Sequence, residues 1–405
     1  MYACLNSEQE KVAEEAVNWY KYSSEQIFQI SGGPGTGKTF LINEILRRLN
    51  IPIEDTLPMT YIGAAAINMR MKGMYNAKTI HSSLFKPIEV IKTDHMGRPV
   101  MDNYLNRPIT VPGFEEIDVS DKKLMIIDEG GSVPYKLKKS IESRGIKILV
   151  AGDLDQLPPV KDKPAYLYEG KVHFINQIMR QNENSSIVYL SRRALADLPI
   201  HCGYYGDSIV IEEDELNDIM LANAQMIISG TNDTREYINN RIRRNILGIQ
   251  LDLPCYMEKV VCRKNNWRID VDGINLANGL IGNVINQPGV HAFNGETYQI
   301  DFKPIFMPSY FKGLECDYKY LMAPPNLRQM IKKDRFSRGE KMEFAYCITA
   351  HIAQGSQFNS GIYIEDFLNK NIQRNLNYVG LSRFANSVIY VKRKRHFYQG
   401  YKNNV

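Results

Sequence analysis

The chain has 405 residues, more than one hydrophobic core usually organises, so we expect about two to four domains. Hydrophobic residues make up 44% and charged residues 23%, an ordinary globular balance, and the net charge of +5 permits a polyanionic partner without requiring one. The six cysteines include no C-x-x-C pair, which argues against a zinc ribbon or a disulfide framework and favours a reducing cytoplasm. No apolar run approaches membrane-spanning length, and polar residues 7–11 exclude a signal-peptide core, so no membrane partner is expected.

The first predicted element is a helix with a capping box formed by Ser7 and Glu10. Apolar residues then recur on one face at helical spacing, namely Val12, Ala13, Ala16, Val17 and Tyr20. Gln9 lies in the first turn, where a glutamine with no other signal most often faces solvent.

A glycine-rich segment follows a short buried strand at residues 27–30 and precedes a helix with apolar residues at helical spacing. The segment comprises Ser31, Gly32, Gly33, Pro34, Gly35, Thr36, Gly37, Lys38 and Thr39, a complete P-loop. A strand, a glycine loop and a helix N-terminus together aim backbone N–H groups at phosphates. We therefore predict that Lys38 reaches the β- and γ-phosphates of ATP and that the Thr39 hydroxyl binds Mg²⁺. A plain glycine turn is the alternative, and it is disfavoured because the motif and both flanks match.

A second strand is predicted at residues 59–63, and Thr79 and His81 follow in the next polar segment. Small and hydroxyl residues at the ends of parallel strands suit contacts to a sugar–phosphate chain, although a lone histidine is usually structural.

Residues 85–123 contain four prolines and break the α/β alternation. We predict a hairpin insertion at residues 86–122 that turns near Asp94–Gly97.

Two carboxylates, Asp128 and Glu129, directly follow the apolar strand at residues 124–127, which is the Walker B arrangement. Asp128 is expected to hold Mg²⁺, mostly through water, and Glu129 to orient and deprotonate an attacking water. A surface acidic pair is the alternative, and the apolar run before it disfavours that interpretation. A further buried strand at residues 146–151 leads into a proline-bounded loop in which Gln156 is placed to sense a γ-phosphate.

The order of these motifs resembles that of superfamily-one DNA helicases of the RecD-like, Dda-like branch, and the phage Dda type is closest in size. Further matching segments lie at residues 177–181, 225–229, 278–284, 346–356 and 377–383. The resemblance runs from residue 5 to about residue 390. It implies that Gln9 reads adenine, that Gly355 lies beside the nucleotide, and that Arg180 and Arg383 touch the γ-phosphate. It also makes Thr349 and His351 candidate DNA contacts, together with Thr79 and His81.

The same resemblance implies an α/β fold with two tandem RecA-like P-loop domains. The first would span residues 1–174, including the hairpin insertion at residues 86–122, which is a candidate wedge for splitting a duplex. The second would comprise residues 175–257 and 341–405, interrupted by an SH3-like β insertion at residues 258–340. ATP would lie in the cleft between the two RecA-like domains.

The implied function is an ATP- and Mg²⁺-dependent DNA helicase that moves on single-stranded DNA, 5′ to 3′, and separates duplex at single/double-strand junctions. A DNA-stimulated ATPase switch without unwinding activity is the alternative enzyme, and a DNA-binding module with a degenerate ATP site is the non-enzymatic one. We expect a monomer in a bacterial or phage-infected host cytoplasm, serving DNA replication, repair or recombination with partners that the sequence does not identify.

The chain departs from the family pattern at two places. Ile352-Ala353 stand where relatives commonly carry Lys-Ser, which removes a polar DNA contact. Residues 130–132 read Gly-Gly-Ser where relatives commonly carry Ala-Ser-Met, which predicts a looser segment after the Walker B pair. Neither departure replaces a residue needed for hydrolysis.

Overall fold

Three sheets organise the computed structural model, which describes residues 4–102, 107–159, 162–178, 185–286, 295–334, 337–367 and 370–393. We call the units built on the first and second sheets the N-domain and the C-domain, and the unit built on the third sheet the β-insertion. None of the helices in the described ranges is long and apolar enough to cross a bilayer.

The described residues of the N-domain form the first ten strands and five α-helices. The strands are β1 (Ile27–Ser31), β2 (Thr56–Thr60), β3 (Lys78–Thr79), β4 (Phe85–Ile91), β5 (Met101–Asp102), β6 (Arg107–Pro108), β7 (Thr110–Glu116), β8 (Leu124–Asp128), β9 (Lys147–Gly152) and β10 (Val172–Phe174). The helices are α1 (Ser7–Tyr22), α2 (Lys38–Leu49), α3 (Gly63–Met71), α4 (Ile80–Leu84) and α5 (Lys138–Glu142).

The first sheet has the strand order β10-β1-β9-β8-β2-β3, and every neighbouring pair is parallel. Its central strands are buried on both faces, between one apolar cluster that includes α1 and α2 and another that includes α4 and α5. Continuous apolar runs are what such strands require. Because the strands are parallel, the segments that follow β1, β8 and β9 all emerge at one edge of the sheet, which is where ligands bind in open α/β sheets.

The described residues of the remaining chain form thirteen strands and seven α-helices. The strands are β11 (Gly203–Tyr205), β12 (Ser208–Glu212), β13 (Ile227–Ser229), β14 (Lys259–Cys262), β15 (Asn266–Val271), β16 (Ile274–Leu276), β17 (Ile281–Val284), β18 (Thr297–Pro304), β19 (Phe311–Asp317), β20 (Met342–Phe344), β21 (Cys347–Thr349), β22 (Phe358–Ile364) and β23 (Phe384–Lys392). The helices are α6 (Ser186–Leu195), α7 (Asp218–Asn223), α8 (Asn232–Asn240), α9 (Tyr318–Met322), α10 (Pro325–Lys333), α11 (Ala350–Ala353) and α12 (Lys370–Ser382).

The second sheet has the order β11-β12-β23-β22-β13-β21, parallel except for the pair β11–β12. Its first strand in chain order, β11, lies within residues 175–257, the range predicted for the first part of the second domain. The third sheet, β19-β18-β17-β14-β20, is antiparallel throughout. It includes β20, just beyond the predicted end of the insertion at residue 340; its SH3-like character and the domain boundaries stay predictions.

Two antiparallel hairpins extend from these units. One pairs β4 with β7 and occupies most of the predicted insertion in the N-domain. The other pairs β15 with β16, and we call residues Asn266–Leu276 the docking hairpin because it packs on α3 of the N-domain. The core of the β-insertion also includes Ala66 and Ile67 of α3, so the β-insertion and the N-domain share one apolar cluster.

Candidate nucleotide and nucleic-acid site

The P-loop backbone surrounds the side chain of Lys38. Gly37 has φ +80°, a left-handed conformation that most residues avoid, and this turn starts α2 at Lys38. The Lys38 ammonium donates hydrogen bonds to the carbonyl oxygens of Gly32 (2.6 Å) and Gly33 (3.1 Å). The Thr36 hydroxyl donates to the Gly33 oxygen as well (2.8 Å). The positive charge of Lys38 is thus centred in the loop, where the α2 N-terminus also favours an anion.

Gln9 is completely buried and joins α1 to the P-loop. Its side-chain amide donates to the Thr36 carbonyl oxygen at 2.8 Å, and its side-chain oxygen accepts from the Asn6 N–H at 3.1 Å. Asn6 caps α1 and forms the capping box with Gln9, so the predicted box of Ser7 and Glu10 is wrong. The prediction failed because asparagine also caps helices and the box starts one residue earlier. Adenine reading by Gln9 stays a prediction.

The two Walker B carboxylates lie at the end of β8. The Asp128 side chain accepts a hydrogen bond from the Glu129 N–H at 2.9 Å. Glu129 has φ +54° and ψ +43°, a left-handed conformation that costs an L-residue about 1 kcal/mol and turns the chain sharply out of the sheet. Burial raises the pKa of Glu129, the negative charge of Asp128 raises it further, and the positive charges of Arg383 and Lys38 oppose both effects.

The Gly-Gly-Ser segment after Glu129 is a buried, ordered turn. Ser132 donates to the Glu129 carbonyl oxygen through its N–H (2.9 Å) and its hydroxyl (2.7 Å). A Cβ at Gly130 would lie 2.4 Å from the Val150 side chain, so the turn packs on β9 more closely than a larger residue allows. The predicted loosening of this segment is therefore wrong, because the missing side chains are replaced by close backbone packing.

The predicted nucleotide residues converge on a cavity of about 420 Å³ between the N-domain and the C-domain. Its lining includes, from the N-domain, Pro34, Gly35, Gly37, Lys38, Thr39, Asp128, Glu129 and Gln156, and, from the C-domain, Gly355 and Arg383. A second cavity of about 880 Å³ adjoins the same loop and is lined by Gly33–Thr36, by residues of α6 and by Tyr378. Arg180 lies outside the described residues, so its contact with the γ-phosphate stays a prediction.

Arg383 enters the cavity from the start of β23. Its side chain is buried, and one terminal nitrogen donates to the Ser382 hydroxyl at 3.3 Å. The Nε atom of Arg383 has no hydrogen-bond partner among the described residues. A buried guanidinium with an unused donor is costly unless an anion is bound, so this side chain is suited to phosphate oxygens.

Thr39 and Asp128 offer the oxygen ligands that Mg²⁺ prefers, and both line the smaller cavity. Within the described ranges, no group of three or more His, Cys, Asp or Glu residues is arranged to hold a metal ion. One hydroxyl and one carboxylate suit a Mg²⁺ ion whose remaining ligands are water molecules and phosphate oxygens of the substrate.

The four candidate DNA residues differ in how exposed their polar atoms are. Thr79 and Thr349 are buried, and their hydroxyls cap α4 and α11 by accepting from the N–H groups of Ser82 (3.3 Å) and Ile352 (3.4 Å). His351 is exposed on the surface of α11. Their contacts with DNA stay predictions, and for both threonines the hydroxyl is already used locally.

His81 lies in an aromatic cluster that the sequence did not predict. Its ring stacks on Trp267 of the docking hairpin, with centroids 4.9 Å apart and planes inclined by 21°. Tyr61, Phe85 and Phe114 surround it at centroid distances of 6.1–6.3 Å. Burial and the positive charge of Lys136 lower the pKa of His81 to about 4. The isolated tryptophan in a β-rich segment was the available signal, but its partner lies far away in the chain.

Comparisons with known proteins agree with this architecture. Residues 13–162 match the model of a protein family described as an AAA domain (AAA_19). An uncharacterized protein of Methanocaldococcus jannaschii is 28% identical over an alignment 211 positions long, which covers 46% of this chain and only 17% of that protein.

Solved structures of Pif1 helicases match over nearly the whole chain. One, described as unwinding forked double-stranded DNA with two coordinating helicases, has 18% identity and a TM-score of 0.54, covering 96% of this chain and 92% of that chain. A Bacteroides Pif1 bound to single-stranded DNA has 16% identity and a TM-score of 0.53, with the same coverage. A Candida albicans Pif1 helicase has 15% identity and a TM-score of 0.51, covering 96% and 94%. The shared feature is the fold of two RecA-like domains.

Proposed function

We propose that this chain, which has the fold of the superfamily-one DNA helicases, is an ATP-dependent DNA helicase that moves along single-stranded DNA and separates duplex. The observation that carries the proposal is one inter-domain cavity that collects Lys38, Asp128, Glu129 and Arg383. A P-loop lysine, two carboxylates and an arginine from the opposite domain are the parts that phosphoryl transfer requires.

Lys38 and the P-loop N–H groups would bind the β- and γ-phosphates of ATP in the orientation needed for hydrolysis. Glu129 would accept a proton from a water whose oxygen attacks the γ-phosphorus, while the bond from that phosphorus to the ADP oxygen breaks. Burial raises the pKa of Glu129, which favours its action as a proton acceptor. Mg²⁺, held by Thr39 and Asp128 with the phosphate oxygens, would neutralise part of the developing charge.

Arg383 and Gln156 would make hydrolysis depend on domain closure. Arg383 belongs to the C-domain and Gln156 to the N-domain, yet both line the same cavity. An arginine that reaches transition-state charge only in the closed state couples each hydrolysis event to a relative movement of the domains. A single strand that contacts both domains would be held alternately by each and moved, mainly through its backbone and therefore without sequence preference.

An ATPase switch that binds DNA without moving along it is the second candidate, since it would use the same cavity. The β4–β7 hairpin favours the helicase, because it extends from the N-domain beside the aromatic cluster and offers a rigid element against which strands could be split. The 5′-to-3′ direction, a place in replication, repair or recombination, a monomeric state and the RecD-like, Dda-like branch belong to the proposal as predictions.

A strand-displacement assay with 5′-tailed and 3′-tailed duplexes tests the proposal. We expect ATP- and Mg²⁺-dependent displacement from the 5′-tailed substrate, together with ATP hydrolysis stimulated by single-stranded DNA. Lys38→Ala is the matched control, and it should abolish both activities while single-strand binding persists. Displacement from only the 3′-tailed substrate would show that the protein moves 3′ to 5′ and not 5′ to 3′. Stimulated hydrolysis without displacement of either substrate would support the switch, and no hydrolysis by the unmodified protein would leave only a DNA-binding module.

A further inference from the structure

A buried hydrogen bond joins the two domains beside the nucleotide cavity. The hydroxyl of Tyr378, on α12 of the C-domain, donates to the Asp153 carboxylate of the N-domain at 2.7 Å. Each residue is only 3% exposed. A bond with an ionised acceptor that is shielded from water is stronger than a surface bond.

The N-domain side of this bond is fixed to the P-loop. Asp153 directly follows β9, and the carbonyl oxygen of Gly152 accepts a hydrogen bond from the Gly32 N–H at 3.0 Å. The Tyr378 hydroxyl also faces the loop, because a Cβ built on Gly33 would lie 3.0 Å from it. The hydroxyl therefore contacts both the loop that binds phosphate and the strand end that supports that loop.

The C-domain side of the bond is fixed to Arg383. Helix α12 ends at Ser382, and Arg383 follows directly. At 1.5 Å per residue, five residues of helix span about 7.5 Å, so a shift of α12 at Tyr378 is transmitted to Arg383 almost undiminished. A displacement of about 1 Å in a catalytic group is enough to slow a reaction substantially.

We infer that Tyr378 is a positioning residue for ATP hydrolysis: through Asp153 it holds α12 against the P-loop side of the cavity and thereby sets the location of Arg383. The inference rests on the proposed function. Tyr378 does not itself contact the reacting atoms, and its action is exerted through Arg383.

Two other contacts explain why this bond adjusts the site without holding the domains together alone. Asn375 donates to the Asp155 carbonyl oxygen (2.8 Å), and Gln354 donates to the Leu157 carbonyl oxygen (3.0 Å). These bonds hold the same loop against the C-domain through its backbone. Burial and the charge of Asp153 raise the pKa of the Tyr378 phenol, so its hydroxyl stays protonated and able to donate across the working pH range.

Tyr378→Phe tests the inference, with Tyr320→Phe as its matched control. The Tyr320 hydroxyl is also buried and also donates to a buried carboxylate at 2.7 Å, but to that of Glu343 on β20, within the β-insertion. We expect Tyr378→Phe to lower kcat for DNA-stimulated hydrolysis about tenfold or more with a smaller change in the KM for ATP. We expect Tyr320→Phe to lower Tm and to leave kcat near the unmodified value. Equal losses of Tm with unchanged kcat in both variants would overturn the inference.

A double-mutant cycle with Asp153→Asn identifies the partner. If the bond acts as described, Tyr378→Phe combined with Asp153→Asn should lower kcat no more than the stronger single variant does. A loss of kcat equal to the product of the two single losses would contradict the inference.

Hydrogen exchange of the free protein gives a readout that does not depend on hydrolysis. Tyr378→Phe should increase exchange in both α12 and residues 153–157, and Tyr320→Phe only within the β-insertion. If the unmodified protein does not hydrolyse ATP, the proposed function fails, and unchanged exchange at residues 153–157 would overturn the inference independently.

Discussion

Arg383 illustrates how a single side chain depends on both domains. It is buried in the C-domain, its Nε lacks a hydrogen-bond partner in the described structure, and it lines a cavity whose other charged residues belong mainly to the N-domain. In this environment the Arg383 guanidinium is suited to stabilise the negative charge of the transition state more strongly than that of bound ATP.

Arg383→Ala should therefore lower kcat on the order of 10³-fold and change the KM for ATP much less, as expected of an arginine that stabilises transition-state charge. Steady-state hydrolysis with saturating single-stranded DNA measures both quantities. Arg374→Ala, which removes an exposed arginine from α12, is the control and should have little effect. A change confined to KM would contradict the assigned role.

His81 gives a prediction about pH. Its pKa of about 4 in the folded protein lies below the ordinary value of 6.5, so between these values the unfolded chain binds a proton that the native protein does not. The free energy of unfolding should consequently fall as the pH is lowered from about 6.5 towards 4. Urea unfolding at pH 5 and pH 7 should show a smaller fall for His81→Gln than for the unmodified protein. An identical fall in both would mean that the histidine is already solvated and charged at pH 5.

Residues of the nucleotide site were predictable where chemistry is encoded by short sequence motifs. Lys38, Thr39, Asp128 and Glu129 follow strands with recognisable apolar patterns, and the structure brings all four to one cavity. The bond between Tyr378 and Asp153 was not predictable, because its partners are 225 positions apart and neither residue type is unusual where it stands. The capping box was misassigned by one residue because several residue types cap helices equally well.

At the scale of elements, the hairpin in the N-domain has the turn that its sequence predicts. The Asp94 carboxylate accepts from the N–H groups of Met96 (2.8 Å) and Arg98 (2.9 Å), and Gly97 has φ +78°. Beyond the turn, the strands β4 and β7 pair in register from Phe85 with Glu116 to Ile91 with Thr110. A further short antiparallel pair, β5 with β6, lies between this turn and β7, and we propose that the whole element acts as a steric post.

We expect that replacing Asp94–Val100 by a short glycine-serine turn will uncouple hydrolysis from unwinding. ATP hydrolysis stimulated by single-stranded DNA and translocation should persist, because the cavity residues are untouched, whereas duplex separation should fall sharply. The ratio of base pairs separated to ATP hydrolysed is the measurement. A ratio equal to that of the unmodified protein would show that the hairpin is not the wedge, and the splitting element would then be sought in the β-insertion.

At the scale of the whole molecule, the predicted α/β fold with two RecA-like domains is confirmed, while membership of the superfamily-one helicases and of their RecD-like, Dda-like branch stays a proposal. The order of motifs along the chain predicted the two parallel-sheet domains. It did not predict that the β-insertion, although inserted into the C-domain, packs its core on α3 of the N-domain. Such packing joins residues far apart in sequence, and no local pattern records it.

Arg70 stabilises the contact between the N-domain and the docking hairpin. Its guanidinium donates to the carbonyl oxygens of Asp272 (2.5 Å) and Gly273 (3.1 Å) in the docking hairpin and to that of Ala77 (2.7 Å) in the N-domain. Arg70→Ala should lower the free energy of unfolding by about 1–3 kcal/mol and increase hydrogen exchange across residues 266–276. Arg268→Ala, which removes an exposed ion pair with Glu89, should cost less than about 1 kcal/mol. Equal effects of the two variants would mean that the docking hairpin is held by apolar packing alone.

The docking hairpin also determines how the domains can move. The C-domain meets the N-domain beside the nucleotide cavity, through Tyr378 and Asp153, and the docking hairpin of the β-insertion meets the N-domain through Arg70. If the bonds at the cavity break during the proposed ATP cycle while the docking hairpin stays attached, we expect the C-domain to rotate about the docking hairpin. Displacement would then grow with distance from this pivot, so the cavity would open widest and a strand bound near His81 and Trp267, as proposed, would move least. Such a lever would have a mechanical advantage, because it would exchange a wide opening at the nucleotide cavity for a short step of greater force at the nucleic acid.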